Sequence, residues 1–267
     1  MKALLARKAA AMRRSVLEMV SQAQAGHPGA SMGIGDIMAA LYFHELRIDP
    51  ANPRWEDRDR FVLSKGHAAP MLYAALCLRG FFGREHFQKF RQAGGMLQGH
   101  PDMVKTPGVD MTSGSLGLGL SAAVGMALGG RITRKDFRVY AIIGDGECNE
   151  GQIWEAALAG AHHGLDNLCA VLDQNGFQND GPTNGILRTE SLAEKWRSFK
   201  WHVIEIDGHD FDGILDALAE AGNTRCKPTM IVARTIKGKG TAYSEAEHHS
   251  APTPEQFAAA MKELADD

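Results

Sequence analysis

Short apolar runs alternate with helix-patterned segments along most of this chain, and that alternation restricts the fold more than any other feature. Residues 138–144 (RVYAIIG), 167–173 (NLCAVLD), 201–207 (WHVIEID) and 229–235 (TMIVART) are each short, apolar and followed by turn residues. That is the pattern of strands buried on both faces. FVLS, at 61–64, reads as a further strand. Between them, residues 151–163 and the FDGILDALAEA segment carry apolar residues three and four apart, which is a helical repeat. Such alternation predicts an α/β fold: a parallel β-sheet with helices on both faces. No internal repeat, low-complexity tract or Pro/Ser-rich linker breaks the pattern. Residues 1–267 are therefore expected to form a single domain with a helical N-terminal segment and a C-terminal helix.

Composition removes several function classes. A formal net charge of -3 leaves no basic excess for nucleic-acid phosphates or an anionic membrane. No run approaches the roughly 18 apolar residues of a membrane span. The basic start, MKALLARKAAAMRRSVLEMV, reads as an amphipathic helix without a signal peptide's apolar run. Cys77, Cys148, Cys169 and Cys226 form no CxxC pair, which points to a reducing cytoplasm. Glycine, with 30 residues, is over-represented; in a chain without low complexity this suggests tight turns and close backbone approaches to a ligand.

In open parallel sheets ligands gather beyond the carboxyl ends of the strands. The run at 138–144 empties into GDGECNEG, where Gly144 and Gly146 permit a tight turn and Asp145 presents a carboxylate. The helix that follows offers a positive dipole end to phosphate. The next strand ends in Gln174-Asn175-Gly176-Phe177, so Asn175 should emerge beside Asp145. A carboxylate and an amide oxygen make an incomplete oxygen shell, and Mg²⁺ prefers few protein ligands completed by phosphate and water. The pair reads as a site for a magnesium-bridged diphosphate. Three histidines add to it: His27 in QAGHPGASMG, His67 in LSKGHAAP and His100 in GHPDMVKTPGV, each beside a glycine. Glycine lets a ring nitrogen and the backbone approach a ligand together.

The GDG turn with its closing asparagine resembles the binding motif of thiamine diphosphate enzymes. SKGHA, TSGSLGLGLS, GDGECNEGQIWEAA, EKWRSF, WHVIEIDGHD and KPTMIVARTIKGKG resemble transketolase in particular, over roughly residues 25 to 240. The resemblance implies thiamine diphosphate with Mg²⁺, for which Ca²⁺ or Mn²⁺ could substitute, the metal being held by Asp145, Asn175 and the carbonyl of Phe177. It implies that His27, His67 and His100 are catalytic, lining the substrate channel and handling sugar hydroxyl protons. His67, Gly114, Ser115, Leu116, Gly146, Glu147, Asn175, Lys237 and His249 would bind the cofactor. Near His249 the sequence departs from the family's His-Gly, reading Glu247-His248-His249-Ser250. Glu150 resembles a glutamate that links two active sites across a dimer.

Single-chain members of that family continue into pyrimidine-binding and C-terminal domains, whereas this sequence stops at Asp267. The expectation is an N-terminal subunit that transfers a two-carbon ketol unit from a ketose phosphate to an aldose phosphate in the pentose phosphate pathway. It would be active only with a separate C-terminal subunit, as a dimer of heterodimers (a heterotetramer). The alternatives are an α subunit of a 2-oxo-acid dehydrogenase, a deoxysugar-phosphate synthase, a transketolase for a sulfonated or branched sugar, or a non-catalytic ligand-binding module. His44, His86, His162, His163, His202 and His209 are read as structural or surface residues, Trp154 and Trp196 as core. The acidic end (Glu263, Asp266 and Asp267) is read as a solvated helix terminus.

Overall fold

The computed structural model describes residues 1–246 and 249–265. Glu247, His248, Asp266 and Asp267 lie outside them, and with them part of the expected acidic helix end. The helices are α1 (Lys2–Ala23), α2 (Pro28–Met32), α3 (Gly35–Ala40), α4 (Ala69–Arg79), α5 (Leu118–Ile132), α6 (Gly151–His162), α7 (Thr183–Ile186), α8 (Leu192–Ser198), α9 (Phe211–Asn223), α10 (Ala242–Ala246) and α11 (Pro254–Glu263). The strands are β1 (Arg60–Leu63), β2 (Val139–Gly144), β3 (Leu168–Gln174), β4 (His202–Asp207) and β5 (Thr229–Arg234). Two compact units result, one of residues 1–54, 66–112 and 235–267, the other of residues 55–65 and 113–234.

The second unit holds the sheet. Its order is β1-β2-β3-β5-β4 and every pairing is parallel. Successive side chains of a strand point to opposite faces; β2, β3 and β5 are buried almost throughout, so both faces of these strands are covered. All five expected strands form, with ends displaced by a residue or so, and helices α6 and α9 stand where the apolar spacing puts them. Asp210 caps α9 by accepting from the Asp212 and Gly213 amides. Trp196 is fully buried, with Trp154 at 5.2 Å and Trp201 at 5.0 Å between ring centroids. The Trp201 indole donates to the Ala157 carbonyl at 2.9 Å. Trp196 and Trp201 are core, and Trp154 is half-buried against Trp196.

The first unit is helical. α1 packs on α3 and α4, and a buried fork ties α1 to α3: Arg13 Nη1 and Nη2 donate to Asp36 at 3.0 and 2.7 Å. The same guanidinium donates from Nε to the Met32 carbonyl at 3.2 Å. The segment after β5 folds against α2, where the Gly238 amide donates to the Gly29 carbonyl at 2.9 Å. Gly33 must be bare, because a Cβ there would come within 2.9 Å of the Ile236 carbonyl oxygen. α11 begins with a reciprocal cap between Thr253 and Gln256. Among the described residues no helix is long and apolar enough to cross a membrane.

Candidate active-site residues

Gly144 on β2 stands opposite Asp173 on β3, so the residues that follow the two strands emerge together. Asp145 opens a single 3₁₀ turn, Gly146–Asn149, and is buried. Its Oδ1 accepts from the Gly146 amide at 2.8 Å and its Oδ2 from the Gly176 amide at 2.6 Å. Gly176 has φ +77, a left-handed conformation that glycine adopts without strain. Burial, and then the charge of Asp173, push the Asp145 carboxyl up to about 6; the two amides and Lys65 oppose the shift.

Asn175 donates from Nδ2 to Asp173 Oδ2 at 2.7 Å, and its Oδ1 accepts from the Phe177 amide at 3.0 Å. The same Asp173 oxygen receives Lys65 Nζ at 2.6 Å in an ion pair whose side chains are 2% and 1% exposed. Sequence reasoning missed Lys65 and Asp173. The available signal was a lysine directly after one strand and an aspartate closing another apolar run, where charges at strand ends suggest a polar site.

Glu147 turns inward. It is buried, and its Oε1 accepts from the Ser64 hydroxyl and from the Gly117 amide at 2.9 Å. Oε2 accepts from the Gly144 amide at 3.0 Å. The carboxylate therefore joins the end of β1, the glycine-rich loop before α5 and the end of β2, and burial raises its pKa. Expected as a cofactor contact, it has both oxygens engaged by the protein's own donors. Ser113 anchors the same loop, donating to the Leu63 carbonyl at 2.6 Å. Gly114 (φ +146) and Leu116 are half-buried and Ser115 is exposed between them. Glu150, at the start of α6, is exposed.

This cluster suits a divalent cation bound through few protein ligands. Asp145, Glu147 and Asp173 bring three buried carboxylates to the neighbourhood of one buried lysine. Burial disfavours the ionised Asp145, and a cation would offset that cost. Among the described residues no group of three His, Cys, Asp or Glu is placed to hold a metal. A cation held here would need an amide oxygen, a backbone carbonyl, phosphate and water to complete its shell, the kind of shell that Mg²⁺ prefers.

The histidines gather in the helical unit. His27 ends the loop before α2; its ring lies 5.4 Å from that of His67 and 5.9 Å from that of His249, edge-on to both. Ser31 holds the loop, its amide and hydroxyl donating to the His27 carbonyl at 3.2 and 2.9 Å. His67 sits in a short 3₁₀ turn leading into α4. His100 is fixed by Tyr73 of α4, whose buried hydroxyl lies 2.9 Å from both the Gln98 and His100 carbonyls. Burial, then the nearby charges of His249, Arg91, His100 and Lys237, lower His27 to about 4. Burial and Arg91 lower His100 as well. At neutral pH His27 is a neutral imidazole able to accept a proton. Lys237 is buried. Structure thus groups His27, His67, His100, Lys237 and His249 within one unit, and Asp145, Gly146, Asn175 and Phe177 within the other.

Residues 5–265 match the family described as transketolase, thiamine diphosphate binding domain. The chain belongs to the transketolase family. A 6-deoxy-6-sulfo-D-fructose transketolase subunit of a Clostridium species is 48% identical, over 97% of this chain and 96% of its own length. An apulose-4-phosphate transketolase subunit of Phocaeicola vulgatus is 38% identical, over 95% of this chain and 91% of that one. Transketolase 2 of Escherichia coli is also 38% identical over 95% of this chain, but the match spans only 40% of that protein. Transketolase of Campylobacter jejuni superposes with a TM-score of 0.93 at 32% identity, covering 98% of this chain and 43% of that one. The chain is thus the N-terminal, thiamine diphosphate-binding half of a transketolase, which is a transferase.

Proposed function

We propose that this subunit works with a separate C-terminal subunit to move a two-carbon ketol unit from a ketose to an aldose. The observation that carries the reading is coverage: the match is nearly end to end with transketolase subunits and only 40% of a single-chain transketolase. Asp145, Asn175 and the Phe177 carbonyl hold Mg²⁺, with Ca²⁺ or Mn²⁺ able to replace it, and the Gly146 backbone approaches the diphosphate. Gly114, Ser115 and Leu116 present a fixed edge to the cofactor because Ser113 and Glu147 pin the loop at both ends. Glu147 then acts by holding that loop. Lys237 supplies positive charge for the diphosphate, and His249 a further contact near it.

Thiamine diphosphate, when bound, supplies the carbanion-stabilising ring that the chemistry needs. The protein's share is binding, orientation and proton handling. His27, neutral at physiological pH, accepts a proton from a sugar hydroxyl; His67 and His100 bind and relay protons beside it. Partner chains provide the pyrimidine-binding and C-terminal domains, and two such pairs associate through surfaces that include Glu150. The assembly works in the cytoplasm.

The 48% relative acts on a sulfonated ketose by its name, and this favours a 6-deoxy-6-sulfo ketose over the phosphates of the pentose phosphate pathway as donor. The test is reconstitution with the partner subunit, Mg²⁺ and thiamine diphosphate, comparing sulfonated and phosphorylated ketoses. Transfer only when both subunits are present is expected. Full activity of the isolated chain, or none with any partner, refutes the reading; faster turnover of ketose phosphates refutes the sulfonate preference alone.

A further inference from the structure

We propose that Lys65 and Asp173 form a buried positioning pair that dictates which end of the Asn175 amide is offered to the divalent metal. The inference rests on the reading that Asn175 is a metal ligand.

An asparagine amide presents an acceptor at one end and donors at the other, and the two ends are nearly the same size. An ionised carboxylate only accepts. Asp173 Oδ2, 2.7 Å from the Asn175 nitrogen, therefore admits the NH₂ end and excludes the oxygen. Oδ1 is left on the other side, beside the Phe177 amide at 3.0 Å, with lone-pair capacity for a cation.

Asp173 depends in turn on Lys65. Nζ reaches the same carboxylate oxygen at 2.6 Å, from a residue that follows β1, although β2 lies between β1 and β3 in the sheet. The lysine stem passes Gly144, where an added Cβ would stand 3.8 Å from Lys65 Cδ. On its backbone Asp173 is also tied to the other ligand, its carbonyl accepting from the Asp145 amide at 3.2 Å. Packing alone does not call for such a pair, because desolvating two charges offsets most of their attraction and an apolar pair would fill the same volume. Ordering a neighbouring ligand does call for it, as outer groups commonly do at metal sites.

The experiment titrates Mn²⁺ into the full chain with thiamine diphosphate, by electron paramagnetic resonance, alongside thermal melting. Lys65→Met and Asp173→Asn should each weaken Mn²⁺ binding about ten- to hundredfold, the range seen for outer-shell changes. Arg13→Met, which breaks another buried pair far along the chain in the other unit, should lower the melting temperature and leave Mn²⁺ affinity intact. If a single variant does not fold, Lys65→Met/Asp173→Asn, which removes both charges, carries the same expectation. Wild-type Mn²⁺ affinity in any folded variant of the pair overturns the proposal. Asn175→Ala separates the two levels: unchanged binding there refutes the ligand reading itself, whereas loss there with unchanged binding in the pair variants refutes only the positioning role.

Discussion

Replacing Glu147 by glutamine changes one oxygen to an NH₂ group and nothing else in shape. The carboxylate now accepts from three donors, the Ser64 hydroxyl and the amides of Gly117 and Gly144. Glutamine can keep its oxygen toward Ser64 and Gly117, but its nitrogen then meets the Gly144 amide, donor against donor at 3.0 Å. Orphaning a buried N–H costs about 1–3 kcal/mol, and a hydrogen bond to a charged group contributes about 1.5–3 kcal/mol. Relief from burying a charge returns part of this, since burial already raises the Glu147 pKa. A net loss of about 2–3 kcal/mol corresponds to a fall of roughly 5–10 °C in melting temperature for a chain of this size. Circular dichroism at pH 7.5 reads the melt, and hydrogen exchange reads whether the Gly117 and Gly144 amides lose protection. A shift of about 1 °C or less with unchanged protection, against the 2–4 °C expected per kcal/mol, would show that the carboxylate does not hold the three segments together.

His27 should titrate with a midpoint of about 4. Its folded pKa lies below the unfolded value near 6.5, so its contribution to stability is full above that value and is lost as pH falls toward 4. Ring C–H resonances followed by NMR give the midpoint directly, and one near 6.5 contradicts the packing described. Gly238→Ala should lower the melting temperature by roughly 5 °C or more, because the residue has φ +81 and its Cβ would stand 1.7 Å from the Ser244 carbonyl oxygen; thiamine diphosphate binding should weaken with it through the adjoining Lys237. An alanine variant with the wild-type melting temperature is incompatible with that contact.

The sheet was legible because its strands are short, apolar and buried on both faces, a pattern that charged or alternating segments do not imitate. β2 and β3 as neighbours, with Asp145 and Asn175 at adjacent ends, followed from strand order alone. The direction of a side chain at a strand end did not. Glu147 reads in sequence as one more polar residue of the GDG turn; only the tertiary approach of Ser64 and Gly117, 83 and 30 residues away along the chain, turns it inward. Lys65 and Asp173 were hidden for the same reason, their partnership spanning 108 residues. The histidines beside glycines could be singled out, but the edge-on approach of the His27 and His67 rings, and the burial that suppresses the His27 charge, depend on loops that no local pattern specifies.

Each unit is discontinuous in sequence, and this sets an order of assembly on the ribosome. The sheet unit has all its residues once the chain has been made as far as Arg234. Its counterpart, although begun first, waits for residues 235–267 to supply Lys237, His249 and the amide of Gly238 that bonds to Gly29. Until then α2 and its loop lack a partner they need, and the nascent chain carries an unfinished helical surface through most of its synthesis, the period in which folding intermediates are most exposed to aggregation. Slow translation of residues 235–267 would lengthen that exposure, and a chain broken off shortly after β5 would keep a complete sheet while lacking the lysine and histidine that close around His27.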